Sequence, residues 1–335
     1  MKNTHPPDPA TSVPKSRIRA LGVLALKGRM DEAMGIVRDF AMEHPEVKVY
    51  LSDYLRPHAG KWLRPQTDAF LGSRVDALLS LGGDGTFLNA ARLVRGEKIP
   101  VLGVNLGRVG FLADVSIDNL RKILGELLRN EYTLRRRMLL AIEHWRGRKK
   151  VSGDIVLNEA AFASMDGQIV ELSVFTNGVF LTEYHADGLL ISTPTGSTAH
   201  SLSAGGPIIH PSGNSILLTP MNPASLSMRP LVLPDFMELE VKSLMGGDKA
   251  VGLYVDGRHR CRLRLGDVVR IRKNPEGLNI IRPQGISYFH SLRTKLGWTG
   301  SRGVTNGAAT CLATLRQSSG RVSSQAKPSA SAPQP

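Results

Sequence analysis

Cysteine is nearly absent: two residues in 335, Cys261 and Cys311, cannot build a disulfide framework. Aromatic residues make up only 5% of the chain, and no stacking platform or nucleic-acid-binding motif accompanies its basic runs. No apolar run approaches the roughly 18 residues that a membrane-spanning helix needs, so no membrane partner is expected. Met1 to Arg17 are rich in proline and polar residues and lack the apolar core of a secretory signal. Cytoplasm is the expected location. The chain has no Gly-x-x-x-x-Gly-Lys-Ser/Thr, which excludes a Walker-type NTPase. Gly103-Val104-Asn105-Leu106-Gly107-Arg108-Val109-Gly110 is glycine-rich but lacks Gly-x-Gly-x-x-Gly spacing, against a dinucleotide-binding dehydrogenase. No His/Cys cluster has metal-ligand spacing, so no fixed protein metal site is expected.

What is present is a long, basic, ordinary globular composition. At 335 residues the chain exceeds one usual core, and two domains are expected. The formal net charge of +14 concentrates in Arg135-Arg136-Arg137, in Arg146 to Lys150, and from Arg258 through Arg264 to Lys273. These runs read as solvated strands and turns, with no specific nucleic-acid partner, and their positive field helps collect polyanionic nucleotides.

Residues 1–17 and 305–335 have the composition of disordered tails. Between them, the first half alternates strand and helix patterns: strands at 18–26, 47–51, 75–81 and 99–104, helices at 30–44 and 87–94. That alternation predicts an α/β domain over 18–130, with a parallel-type sheet and flanking helices. A helix over 120–130 forms the junction. From 131 to 290 short β-patterned runs follow, including 139–145, 155–163, 172–176, 179–181, 189–192, 237–241 and 268–271. They predict a β-rich, sandwich-like C-terminal domain.

Three segments carry chemistry. Gly82-Gly83-Asp84-Gly85-Thr86 follows the apolar run Val75 to Leu81 and opens onto a helix pattern. Glycines there let backbone N–H groups face an anion closely. A carboxylate in a phosphate site repels the ligand unless it holds Mg²⁺ or takes a proton from an attacking hydroxyl, so the loop reads as phosphoryl transfer. As an isolated pentapeptide it is equally an ordinary Asp-Gly turn. The second segment, Asp187 to Pro207, delivers seven hydroxyls from Ser192 to Ser203 behind a buried strand. That surface suits ribose hydroxyls, an adenine edge or a pyrophosphate. The third, Asn158-Glu159, reads by itself as an exposed turn.

Taken together and in order, these segments resemble the NAD kinases. So do Asn105 to Leu112, Arg229-Pro230-Leu231-Val232-Leu233-Pro234, Tyr288-Phe289 and Leu292 to Trp298. The glycine-Asp loop is shared with phosphofructokinases and diacylglycerol kinases; the Asp187–Pro207 run narrows the resemblance, which covers about residues 18–300. It implies Mg²⁺-dependent transfer of a phosphoryl group, from ATP or another donor such as polyphosphate, to the adenosine ribose 2′-hydroxyl of NAD. Asp84 is then the catalytic base. Gly82, Gly83, Gly85 and Thr86 hold the donor phosphates, with Mg²⁺ carried on them. NAD is bound by Asp84, Gly85, Phe111, Asn158, Glu159, Asp187, Thr195, Thr198, Ala199, His200, Ser203 and Asp256. The resemblance further implies a homodimer or homotetramer, and a C-terminal segment, about 291–304, that returns to the first domain. Two positions depart from the family pattern: His200 stands where most members have Tyr, and Ala224 in Asn222-Pro223-Ala224 stands where they have His. The rival readings are a kinase of the same superfamily acting on a lipid or sugar phosphate, and a basic nucleic-acid-binding protein.

Overall fold

The computed structural model describes residues 17–25, 30–95, 97–107, 110–246, 250–283 and 287–298. The sequence expectations for residues 1–16 and 305–335, and for Cys311, lie outside them. The chain divides into two compact units, Met1–Gly285 and Ile286–Pro335.

The larger unit begins with β1 (Ala20–Ala25), α1 (Met30–Glu43), β2 (Lys48–Ser52), β3 (Leu63–Gln66), α2 (Asp68–Leu71), β4 (Ala77–Leu81), α3 (Asp84–Leu93), β5 (Val101–Asn105), β6 (Val115–Ser116) and α4 (Leu120–Leu128). Apolar residues recurring every three or four positions make α1 a helix: Ala33, Met34, Val37, Phe40 and Ala41 form its buried stripe. β4 and β5 are buried along their whole length, as central strands of a parallel sheet covered on both faces must be. The first sheet runs β3-β2-β1-β4-β5 with parallel pairing throughout, and β6 pairs with β5. Strand order reverses between β1 and β4, which opens the crevice at the carboxyl ends where such sheets bind ligands. The glycine loop sits at that end of β4.

The sheet is completed by strands from far along the chain. β7 (Tyr132–Arg137) and β20 (Leu278–Pro283) extend it in the order β5-β20-β7, β20 parallel to β5 and antiparallel to β7. Both segments fall within residues 131–290, expected as the β-rich domain, and it is their partners that assign them to this sheet instead.

Between them lie β8 (Leu140–Arg146), β9 (Lys149–Val156), β10 (Glu159–Ser164), β11 (Val170–Thr176), β12 (Val179–Ala186), β13 (Gly188–Ser192), α5 (His200–Ser203), β14 (Ser215–Met221), β15 (Leu231–Pro234), β16 (Leu239–Ser243), β17 (Val251–Val255), β18 (Arg258–Leu263) and β19 (Val268–Lys273). They form two six-stranded antiparallel sheets, β15-β14-β13-β10-β17-β18 and β12-β11-β16-β19-β8-β9. Leu140, Ile142, Leu172 and Val241 from one and Phe162, Leu189, Ile191 and Leu218 from the other share one core, a β-sandwich. The single β-run expected at 155–163 is two strands: the chain turns at Leu157-Asn158, and β9 and β10 fall into different sheets.

The second unit contains α6 (Tyr288–Leu296), closed by Gly297 at φ 64°, whose left-handed conformation lets Trp298 N–H donate to the Arg293 carbonyl at 3.1 Å.

Candidate active site

Asp84 is the first residue of α3, and its carboxylate is held by a turn 27–29 residues later. The N–H of Phe111 donates to Oδ2 at 2.9 Å, and those of Leu112 and Ala113 to Oδ1 at 3.1 and 3.0 Å. The turn approaches so closely that a Cβ at Gly110 would lie 1.7 Å from Asp84 Oδ1, which only glycine permits. Gly82 has φ 151°, and a side chain there would strike the buried Thr86, 2.2 Å from its hydroxyl. Gly83 and Gly85 are exposed and face open space. The loop therefore presents bare backbone beside one carboxylate of fixed orientation.

A second turn repeats the device. Asp256, between β17 and β18 at φ 45°, accepts from three consecutive N–H groups: Leu157 at 3.0 Å, Asn158 at 2.8 Å and Glu159 at 3.3 Å. Burial pushes the Asp256 carboxyl up, opposed by these same bonds. Leu157 is buried in the cluster that contains Phe87, Ala90 and Ala91 of α3, so the turn is anchored in the core beneath the helix that Asp84 begins. Asn158 and Glu159 are buried as well, correcting their sequence reading as an exposed turn. Asn158 Oδ1 and Glu159 Oε2 have no hydrogen-bond partner, nor do Ser192 Oγ and Thr195 Oγ1. Burial, and secondarily the Asp256 charge, raise the Glu159 carboxyl to about 8. Polar atoms left unpaired at such depth are costly.

The hydroxyl-rich run divides. Thr193 Oγ1 donates to the Leu157 carbonyl at 2.6 Å and accepts from Gly196 N–H at 3.0 Å. Ser197 Oγ donates to the Pro194 carbonyl at 2.6 Å and accepts from Ile209 N–H at 3.0 Å. Ser201 and Thr219 bond each other at 2.8 Å, and Thr198 Oγ1 donates to the Thr195 carbonyl at 3.2 Å. The reading of these hydroxyls as ligand-facing is thus corrected: several tie the loop to its own backbone, because a buried hydroxyl takes the nearest carbonyl. Ala199 is half-buried, and His200 and Ser203 are exposed.

Asp187 is exposed at the opposite end of β13, where Asn222 Nδ2 donates to it at 2.9 Å. Five residue steps of extended strand, about 16 Å at roughly 3.3 Å each, carry the chain from it to Ser192. The sequence reading also passed over the donors that hold Asp84. Leu112 and Ala113 act through backbone N–H groups, which no side-chain pattern betrays; the run Asn105 to Leu112 was its only trace.

The fold has close counterparts. Residues 6–132 match the ATP-NAD kinase N-terminal domain and residues 155–283 the ATP-NAD kinase C-terminal domain. The chain is 43% identical over 235 residues to the NAD kinase of Gemmatimonas aurantiaca, covering 68% of this chain and 80% of that one. To the NAD kinase of Alcanivorax borkumensis it is 34% identical over 299 residues, covering 88% and 99%. Among solved structures, a yeast NADH kinase complexed with NADH superposes with a TM-score of 0.78 at 26% identity, over 87% of this chain and 91% of that one. An NAD kinase from Archaeoglobus fulgidus in complex with ATP shares the fold, with a TM-score of 0.65 at 22% identity over 83% and 98%. With both domains matched and relatives above 30% identity nearly end to end, the chain belongs to the NAD kinase family.

Proposed function

We propose that the protein transfers the terminal phosphoryl group of ATP to the adenosine ribose 2′-hydroxyl of NAD, giving NADP, with Asp84 as the base. The observation that carries this reading is the Asp84 carboxylate, oriented by three N–H groups at the mouth of an exposed glycine loop. Asp84 accepts the 2′-hydroxyl proton as that oxygen attacks phosphorus and ADP departs. Phosphoryl transfer depends on positioning and charge neutralisation more than on covalent chemistry, and one base contributes about 10²–10⁴-fold. Gly82, Gly83, Gly85 and Thr86 cradle the donor phosphates. Asn158, Glu159 and Thr195, with their unpartnered buried oxygens, receive the dinucleotide, and Phe111, Thr198, Ala199, His200 and Ser203 border it. Asp256 acts through the turn it holds.

Mg²⁺ carried on the donor would neutralise phosphate charge. Both Asp84 oxygens already accept backbone donors, which fits a metal carried by phosphate better than one ligated by this side chain. Oligomerisation fits the position of Asp187: too far along β13 to meet Thr195 of its own chain, it completes an NAD site across a contact between two copies. The edge strand β15, with Val232 exposed and Leu226 and Phe236 at 88% and 73% exposure on the segments flanking it, supplies the apolar surface for a homodimer or homotetramer. A cytoplasmic location completes the reading.

The test is direct. Purified protein given NAD, ATP and Mg²⁺ forms NADP, with NADH and polyphosphate as alternative substrate and donor. Asp84→Asn loses about 10²–10⁴-fold in kcat while NAD binding persists. Absence of NADP from every combination overturns the activity; equal loss of binding and rate makes Asp84 a binding residue instead.

A further inference from the structure

An ion pair that the reaction as described does not use lies against the Asp84 turn. Asp114 follows Ala113 directly, so its side chain hangs from the turn that supplies all three donors to Asp84. Arg282 Nη2 lies 2.9 Å from Asp114 Oδ2, and the two side chains are 7% and 4% exposed. The attraction is coulombic rather than a directed hydrogen bond: Arg282 Nε and Asp114 Oδ2 are both buried without hydrogen-bond partners. Arg282 belongs to β20, opposite Thr133 of β7, and the chain arrives there only after building the whole β-sandwich. The charged groups around Asp114 are Arg282 on β20, Arg137 on β7 and Asp84 on α3. Burial pushes the Asp114 carboxyl up, and Asp84 adds to this. Arg282, a backbone N–H and Arg137 oppose it.

A buried pair of this kind is weak support for stability, since desolvation cancels most of the attraction. Its location gives it a different use. We propose that Asp114 and Arg282 are a positioning pair for the Asp84 base. Arg282 pins the turn through Asp114, which keeps the N–H groups of Phe111, Leu112 and Ala113 aimed at the Asp84 carboxylate. Asp114 in turn offsets the Arg282 charge, which uncompensated would make Asp84 a poorer proton acceptor. The inference rests on Asp84 as the base, and loss of turnover in Asp84→Asn tests that assignment separately.

The experiment compares the pH dependence of kcat for NADP formation in wild type, Asp114→Asn and the double variant Asp114→Asn/Arg282→Gln. Asp114→Asn leaves the guanidinium unopposed, so the acid limb moves to lower pH by about one unit, the size of shift that a neighbouring charge imposes on a carboxylate. The KM for NAD stays near wild type, because Asn158 and Glu159 are untouched. The double variant removes both charges, and its limb returns to the wild-type position. Thermal melting of the same samples establishes that each is folded. If the double variant does not fold, Asp114→Glu replaces it, and with its charge retained its limb stays at the wild-type position. A limb that does not move in Asp114→Asn overturns the proposal, and so does one that stays displaced in the double variant or moves in Asp114→Glu. A merely structural pair would change melting temperature and rate without moving the limb.

Discussion

Glu159 carries a carboxyl into a place where ionisation is costly. Burial, then the nearby Asp256, raise it from an ordinary 4.5 to about 8. The folded state therefore holds a proton that the unfolded chain releases. Below about pH 4.5 both states are protonated and stability is full. As pH rises toward 8, stability falls by about 1.4 kcal/mol per unit, and above that the loss levels off. The ligand-free protein is expected to melt at progressively lower temperature from about pH 5 to 8, and Glu159→Gln to flatten that slope. An unchanged slope in the variant assigns the dependence to another group. The sequence named this residue but could not foresee its burial: an Asn-Glu pair carries no mark of depth, and the depth comes from Leu157 packing among α3 residues distant in the chain.

At the scale of elements, the site is two turns clamped by the same device, a carboxylate accepting three consecutive N–H groups. Asp84 holds 111–113 and Asp256 holds 157–159. In the proposed reaction the first carboxylate is the reactive group and its turn orients it, while the second carboxylate supports the turn that carries the proposed binding residues Asn158 and Glu159. Asp256→Ala removes the acceptor for all three N–H groups, each worth about 1 kcal/mol. The expected result is a KM for NAD raised about tenfold or more, a lower melting temperature and a smaller change in kcat. Loss confined to kcat contradicts a supporting role. The helix after the glycine loop was legible because Gly-Gly-Asp-Gly behind an apolar run marks a strand-to-helix junction. The break between β9 and β10 was not, because Ile155 to Ala163 is patterned like one strand and the groups that hold its turn, Thr193 and Asp256, lie 36 and 99 residues beyond Leu157.

Over the whole larger unit, charge does more local work than its total suggests. Arg146 pairs with Asp267, Lys150 with Glu143, Arg270 with Glu240 and Lys273 with Asp235, so the basic runs are in good part a lattice of ion pairs on the sandwich. One group bridges the two sheet systems: Asp154 of β9 meets Arg95, just beyond α3, through Oδ1 and Arg260 of β18 through Oδ2, the latter at 3.0 Å. Asp154→Ala leaves the two guanidinium groups without their shared partner. It is expected to cost about 1–2 kcal/mol, between an exposed and a buried pair, read as a lower melting temperature. No change in melting counts the bridge as surface decoration. By itself the sequence determined the order of the architecture, an α/β region followed by a β-rich one, because apolar periodicity is local and written in side chains; the reaction class came from the resemblance that its ordered motifs bear to the NAD kinases, not from the glycine-Asp loop alone. The tertiary structure decided the rest: that β7 and β20 complete the first sheet, which hydroxyls are consumed internally, and that Asp114, next to a residue that holds Asp84, meets Arg282. Whether a polar atom is satisfied or left for a ligand depends on partners far away in sequence, and only the folded chain brings them within hydrogen-bond reach.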